Sequence, residues 1–526
     1  MMKTLSRSMG LLLLLASVVY GATLSGTVED SNGAPMKGAF VRARSATRSR
    51  ITFTVLSDKQ GRYRIENLSP GGYETWASAI GYKNDPPASI NLAGAGSAPL
   101  DFTLQLGIVR WSDLTMFQGR KLLPEGKGKQ VLFGACYICH GFQTRMAATR
   151  RDEAGWLRAV NFMREAMHPR LAGLSDEDAA AVTSYLNSTF GVDSELPRSP
   201  AGLPGYKETV RTFSDEAMKI VYVDYELPGP NRMPFSGAPD KDGKVWIPEF
   251  GRANRIARLD PGTGETQEFL VPHQGTAGIH SAWPAPDGLV WIAQQASNKL
   301  GKWDPRTGKI TEYQDAYLPG KEGIEAGGSK HTVRVDIKGN VWTSGMPLTR
   351  FDQKTEKFTR YPEVRTAYDV NLDKDGNAWF TQYTDAKIGK ADANTGKVTV
   401  WELPDRTARP RRIVVDSDGI AWAGSHTTGK IIRFDPKTET FKEYPLPGPN
   451  PTPYALGIDR DSNIWYSSHE LDVVGRLNPK TGEITEYPSP YPESYFKEFF
   501  LDSQGRMWFG SPPNNKVGYF TLAEWR

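Results

Sequence analysis

Five consecutive residues, Cys136-Tyr137-Ile138-Cys139-His140, have the types and spacing to do chemistry. Two thiols three positions apart can each form a thioether with one vinyl group of a porphyrin. The histidine directly after them can then offer its imidazole to the iron. The pattern predicts a covalent c-type haem held by Cys136, Cys139 and His140. C-x-x-C also serves as half of a zinc site or as a dithiol redox pair. A four-ligand zinc site needs a second ligand pair, and these are the only two cysteines in the chain. A redox pair gives His140 no role.

The surrounding sequence agrees with a haem attached outside the cytoplasm. Lys3 and Arg7 precede an apolar run over 10–19, followed by the small residues Gly21 and Ala22. This predicts a signal peptide over 1–22 and a periplasmic or secreted protein. No later stretch has the length and apolarity of a transmembrane helix. The 526 residues predict several domains, and 64 Lys+Arg against 60 Asp+Glu give no reason to expect a nucleic-acid partner.

Residues 23–105 read as short alternating strands with turns at 30–33 and at glycines 61, 71 and 72, a small antiparallel β-sandwich. The run G-x-V-x-D-x-x-G-x-P over 26–35, then S-D-x-x-G-x-Y over 57–63, L-x-P-G-x-Y over 68–73 and Gly81-Tyr82, resembles the carboxypeptidase regulatory-like domain. That resemblance implies an accessory module.

Residues 106–200 change to a helical pattern. Residues 118–133 lead into the C-x-x-C-H motif. Apolar residues at 156, 160, 163 and 167 mark one helix face, and Ser175 before three acids marks the start of a last helix through Tyr185-Leu186. A haem motif followed by two such helices is similar to small class I cytochrome c domains. In those domains a W-x-x-x-V-x-x-M helix supplies a methionine to the iron. Trp156, Val160 and Met163 match it, so the resemblance implies Met163 as sixth ligand. Met167, one turn further, is its rival; His168 and Met146 are the remaining candidates, and packing is the ordinary role of such methionines.

From residue 206 to 526 the chain repeats. Trp246, Trp291, Trp342, Trp379, Trp422, Trp465 and Trp508 each follow a turn, and by difference of their numbers recur every 45, 51, 37, 43, 43 and 43 residues. Seven units of about 43 residues, each with four strands, predict a seven-bladed β-propeller. The last unit lacks a final strand, and 220–228 matches what is missing, so the first strand is expected to complete the last blade. The fold class is therefore multidomain: β-sandwich, small all-α haem domain, seven-bladed propeller. The repeat D-x-x-G-x-x-W with N-x-I-G-R-x-D-P-x-T-G-x-I-x-E-Y, seen at 298–313 and 473–487, resembles the virginiamycin B (streptogramin) lyase propellers.

Eleven residues before each tryptophan should lie the strand facing the channel: Phe235, His280, His331, Tyr368, Arg411, Tyr454 and Lys497. Four residues after it lie Phe250, Gln295, Met346, Tyr383, His426, His469 and Pro512. Four of the seven histidines fall in these two registers. His280, His331, His426, His469 and Arg411 are thus the candidate site of the propeller, expected at one channel mouth with Tyr368 and Tyr383 nearby and with neutral imidazoles beside Arg411. The resemblance implies a channel histidine, a Glu three after a blade tryptophan with a His two further on, and a divalent metal. Only Glu249 fills the Glu position, and Gly251 stands where its His should be.

Two functional readings follow. One is an exported mono-haem electron-transfer protein whose propeller binds a redox partner protein or small-molecule substrate. The other is a propeller enzyme, either a carbon–oxygen lyase or a dehydrogenase with the haem as acceptor. Haem plus propeller is an architecture similar to periplasmic quinoprotein dehydrogenases, but no quinone-binding signature is present. A purely adhesive protein would leave the haem motif unexplained.

Overall fold

A computed structural model describes residues 21–48, 50–83, 86–94, 96–138, 141–166, 174–316 and 328–524. The signal-peptide run, Cys139, His140, Met167 and His168 lie outside the described residues.

The N-terminal strands pack as two sheets. Arg62–Leu68 alternates exposed and buried positions, so Tyr63 and Ile65 enter a core with Leu24, Val28, Val41 and Tyr73. Its partner Ala22–Asp30 runs antiparallel beside it.

Seven four-stranded antiparallel units follow. In each, the second strand carries the repeating tryptophan and is buried throughout or nearly so, as in Val245–Glu249 and Val290–Gln294. Six of these tryptophans donate from Nε1 to an aspartate six residues earlier, for example Trp246 to Asp240 (3.0 Å) and Trp465 to Asp459 (2.8 Å). The same aspartates accept backbone N–H groups of the turn between, which ties turn and strand together. The second unit breaks the rule. Ala285 replaces the aspartate, and among the described residues the buried Trp291 Nε1 has no hydrogen-bond partner.

The seventh unit closes as the repeat predicts. Ile220–Glu226 pairs antiparallel with Lys516–Leu522, Tyr225 opposite Val517 and Tyr222 opposite Phe520. Its other edge is not left open. Ile51–Leu56 of the sandwich pairs with it, Ile51 opposite Tyr225 and Thr54 opposite Tyr222. The seventh blade and one sandwich sheet are therefore a single eight-stranded sheet. Completing a blade left an edge that period alone did not assign, and the sandwich covers it.

Between these β-units lie four main helices: α1 (Met116–Leu122), α2 (Lys127–Ala135), α3 (Glu153–Ala166) and α4 (Asp176–Phe190). The helical stretch expected over 118–133 is split in two. Pro124 holds Leu123 extended and Gly126 adopts a φ of 157°. Thr115 caps α1 and Ser175 caps α4, its hydroxyl accepting from Asp178 N at 3.0 Å. The helix bearing the motif approaches α4 at Gly128, where an added Cβ would meet Tyr185 Cβ at 2.2 Å. Trp156 and Val160 are buried in the core of this layer, together with Leu132, Tyr137, Phe142 and Phe190.

Candidate functional site

The channel mouth is built from one side chain per blade. His280, His331, Tyr368, Arg411 and Tyr454 lie on the innermost strands of blades two to six. In all five strands the pairing register breaks at or beside that residue. A bulge turns the backbone and re-aims the side chain, here toward the axis. Phe235 and Lys497 fill the same position just before the innermost strands of blades one and seven.

The seven side chains form a closed ring. Phe235 meets His280 at 4.8 Å between ring centroids, His280 meets His331 at 3.6 Å, and His331 meets Tyr368 at 4.6 Å. Arg411 Nη1 donates to the Tyr368 hydroxyl (2.8 Å), and its guanidinium lies 4.5 Å from the Tyr454 ring. Lys497 Nζ lies 4.5 Å from Tyr454 and 5.8 Å from Phe235. The second register packs on this ring: Phe250 stacks on Phe235 and His469 on Tyr454 at 4.4 Å, while Tyr383 is tilted against Tyr368 at 5.5 Å. His426 stands 6.0 Å from Tyr454 and 6.4 Å from His469. Met346 remains more than a third exposed. The four candidate histidines and Arg411 are thus brought together.

Burial first, and then Arg411, holds His426 well below the ordinary imidazole pKa; burial and then Lys497 do the same for His469. Desolvation therefore outranks the cation that the sequence pattern suggested. Both imidazoles are neutral at pH 7. His469 Nε2 faces the Phe496 carbonyl at 3.0 Å, so Nε2 carries the proton and Nδ1 is the acceptor. Arg411 is 95% buried, with Tyr368, Tyr383 and Tyr454 around its guanidinium. Among the described residues it forms no ion pair with a carboxylate, and its Nε has no hydrogen-bond partner. The next residue, Arg412, instead pairs through Nη1 with two carboxylates, Asp369 (3.0 Å) and Glu498 (2.8 Å).

The helical layer is seated on this mouth. Tyr495, in the loop between blades six and seven, stacks on His469 at 3.8 Å and donates its hydroxyl to the Tyr137 carbonyl at 2.6 Å. Glu493 accepts from Gly141 N (2.8 Å), Thr144 N (2.8 Å) and Thr144 Oγ1 (2.7 Å). The C-x-x-C-H segment is therefore held to the propeller on both sides. Glu493 and Tyr495 both have left-handed φ, 54° and 48°, a strained conformation that the loop maintains to aim them. Asp472 receives Gln143 Nε2 (3.2 Å), Glu493 N and Ser494 N, while burial and then Glu493 push its carboxyl up to about 7. Further along, Phe117 N donates to the Glu470 carbonyl (2.9 Å) and Arg120 pairs with the Glu470 carboxylate. Between α1 and the blades opens a cleft of about 810 Å³, lined by Phe117, Arg120, Lys121, His426, Thr452 and Glu470.

Cys136 sits at the C-terminus of α2, half-buried, and Met163 is half-buried on α3. Its neighbour Phe162 lies 4.1 Å under the guanidinium of Arg252 of the propeller. Within the helical layer, the buried Tyr137 Oη, Gln143 Oε1, Arg145 Nε and Trp156 Nε1 have no hydrogen-bond partner among the described residues. Orphaned polar atoms around the motif suit a bound group with its own polar substituents. Among the described residues, no three His, Cys, Asp or Glu side chains gather as a cation site requires, so the divalent metal implied by the lyase resemblance has no ligand set there. Glu249 is buried beside Arg232 (3.4 Å). Burial first and Glu268 second raise its carboxyl to about 8. Glu493, Tyr495 and Asp472 were not foreseen. The sequence signal for Glu493 and Tyr495 is the aromatic and acidic stretch 491–500, where the connection between blades departs from the repeat; Asp472 has none.

Residues 353–524 match the model of the virginiamycin B lyase family, and residues 23–105 match the carboxypeptidase regulatory-like domain. The propeller is virginiamycin B lyase-like. Among solved structures, a streptogramin B lyase is 26% identical with a TM-score of 0.52, covering 59% of this chain and 100% of its own. The virginiamycin B lyase of Staphylococcus aureus is 24% identical with a TM-score of 0.51, covering 57% of this chain and 98% of its own. A catalytically inactive variant of that enzyme with quinupristin matches at 24% identity and a TM-score of 0.50, covering 57% of this chain and 99% of its own. These likenesses leave two-fifths of the chain uncovered, and the latter two concern the fold alone. No curated protein matches this chain.

Proposed function

We propose that this is an exported c-type haem protein, in which electrons pass between a haem held by Cys136, Cys139 and His140 and a small molecule or partner bound at the lyase-like propeller mouth. One observation carries the reading. The segment that would hold the haem is hydrogen-bonded to the channel mouth through Tyr495 and Glu493, and Tyr495 stacks on the candidate His469. A merely tethered cytochrome would need no such seat.

When bound, the haem supplies a one-electron couple. The chain's own residues supply the rest. Arg411 and the tyrosine faces orient a molecule at the mouth, which opens to the cleft at His426, neutral His426 and His469 accept a proton from it, and the seated helices exclude water from one side. On this geometry a dehydrogenase that passes two electrons singly through the haem to a redox partner protein is favoured over a lyase. The lyase acid–base set is incomplete, and Glu249 is engaged with Arg232 and Glu268.

The deciding experiment expresses the full chain with a haem-maturation system. A haem-linked peroxidase stain on denaturing gels and a reduced-minus-oxidised spectrum of c type are expected, both lost in Cys136→Ala or Cys139→Ala. An unstained wild-type band would overturn the proposal.

A further inference from the structure

Arg411 is a charged group in a place that its neighbours do not explain. A buried cation normally keeps a carboxylate or a full set of acceptors, because burial strips it of solvation that only such partners replace. Arg412 follows this rule through Asp369 and Glu498. Arg411 has one phenol oxygen, three aromatic faces and an unsatisfied Nε. Cation–π contacts offset part of that cost. Its charge reaches His426, which lines the cleft, and depresses the protonation of that imidazole. On the cleft rim stand Arg120 and Lys121, against a single acid, Glu470, already paired with Arg120. Cations thus outnumber acids along the cleft lining, and His426 joins the cleft to the aromatic ring that surrounds Arg411.

We infer that the mouth is a carboxylate site, in which the Arg411 fork receives the carboxylate of a planar conjugated molecule. Arginine presents parallel N–H donors that match a carboxylate, and a water-poor pocket strengthens that pairing. The neutral imidazoles add acceptor and donor nitrogens without competing charge. Two sources share this chemistry: a free aromatic acid in the cleft, and a propionate of the bound haem. The inference rests on the reading of the mouth as a binding site, and it extends that reading to the chemical class of the ligand.

The test is calorimetric titration with benzoate, and with benzamide as its neutral isostere. It uses the full-length haem-loaded protein and the haem-free Cys136→Ala/Cys139→Ala form. A preference for benzoate is expected, and Arg411→Gln should weaken benzoate at least tenfold, equivalent to about 1.4 kcal/mol. Preference seen in the loaded protein identifies a free acid as the source. Preference confined to the haem-free form, with a moved haem midpoint potential in Arg411→Gln, identifies the propionate. The inference is overturned if the preference survives in Arg411→Gln. It is also overturned if neither form prefers benzoate and the substitution leaves the potential unchanged. Should Arg411→Gln fail to fold, Arg411→Lys replaces it: a point charge in place of the fork must lower the benzoate preference. Absence of haem would defeat the electron-transfer reading alone, since the haem-free titration still decides this one.

Discussion

Glu493→Ala isolates the contact that seats the helical layer. The carboxylate accepts three hydrogen bonds, two from backbone N–H groups and one from the Thr144 hydroxyl, at 2.7–2.8 Å. Each bond to a charged acceptor contributes about 1.5–3 kcal/mol net, so the set stabilises the seated state by on the order of 5 kcal/mol. Truncation also removes the acceptor of the Gly141 and Thr144 N–H groups, while the left-handed backbone at residue 493 stays as strained in alanine, which keeps its Cβ. A loss of about 5 kcal/mol corresponds to roughly several thousandfold in the opening equilibrium. Hydrogen exchange read by mass spectrometry is the assay. Amides over 141–148 should lose at least a hundredfold in protection, while the blade-six strand Ile464–Ser468 keeps its own. Glu493→Gln, which retains an uncharged acceptor, should fall between. Unchanged protection over 141–148 in a folded Glu493→Ala protein would refute the seating argument.

Three further outcomes are expected. Met163→Ala should remove the weak near-infrared methionine–iron band and lower the haem potential, since a thioether favours ferrous iron; an intact band would move the assignment to another ligand. Ala285→Asp should supply the acceptor that the buried Trp291 Nε1 lacks and raise stability by about 1 kcal/mol, seen as a higher Tm; a lower Tm would show that the second blade has repacked around alanine. Glu249 holds its proton more tightly folded than unfolded, about 8 against 4.5, so its stabilisation is complete below about 4.5 and is lost as pH rises through about 8. Glu249→Gln should flatten that decline, by a few kcal/mol at most. Denaturant titrations at pH 5 and pH 8.5 that keep the wild-type difference would contradict this.

Period was the strongest signal in the chain. The tryptophan repeat located seven units, the strand that completes the seventh, and both rings of channel residues, because equivalent offsets in repeated units must occupy equivalent depths. The bulges that aim His280 or Arg411 inward left no mark of their own, yet counting from Trp291 and Trp422 reached the same residues. Helix caps were legible at Ser175 because a hydroxyl before three acids is a local cue. Contacts between units were not. Tyr495 with Tyr137, Glu493 with Gly141, and Ile51 with Tyr225 join residues more than 150 positions apart, and neither member of a pair advertises the other.

The eight-stranded sheet also sets an order of events along the chain. Ile51–Leu56 and Ile220–Glu226 are both present long before Lys516–Leu522 is, so the sandwich can present its added strand as a waiting edge. Closing a propeller otherwise requires two loose ends to find each other, at an entropic cost that grows with the span between them. Here one end is already anchored to a folded neighbour, and the last strand docks onto a fixed rail. Cutting the chain just before Ile220 would therefore give a ring of blades whose closing strand had lost its backing, and whose exposed edge would invite pairing with another molecule. In this architecture the accessory sandwich acts as the keeper of the propeller's seam.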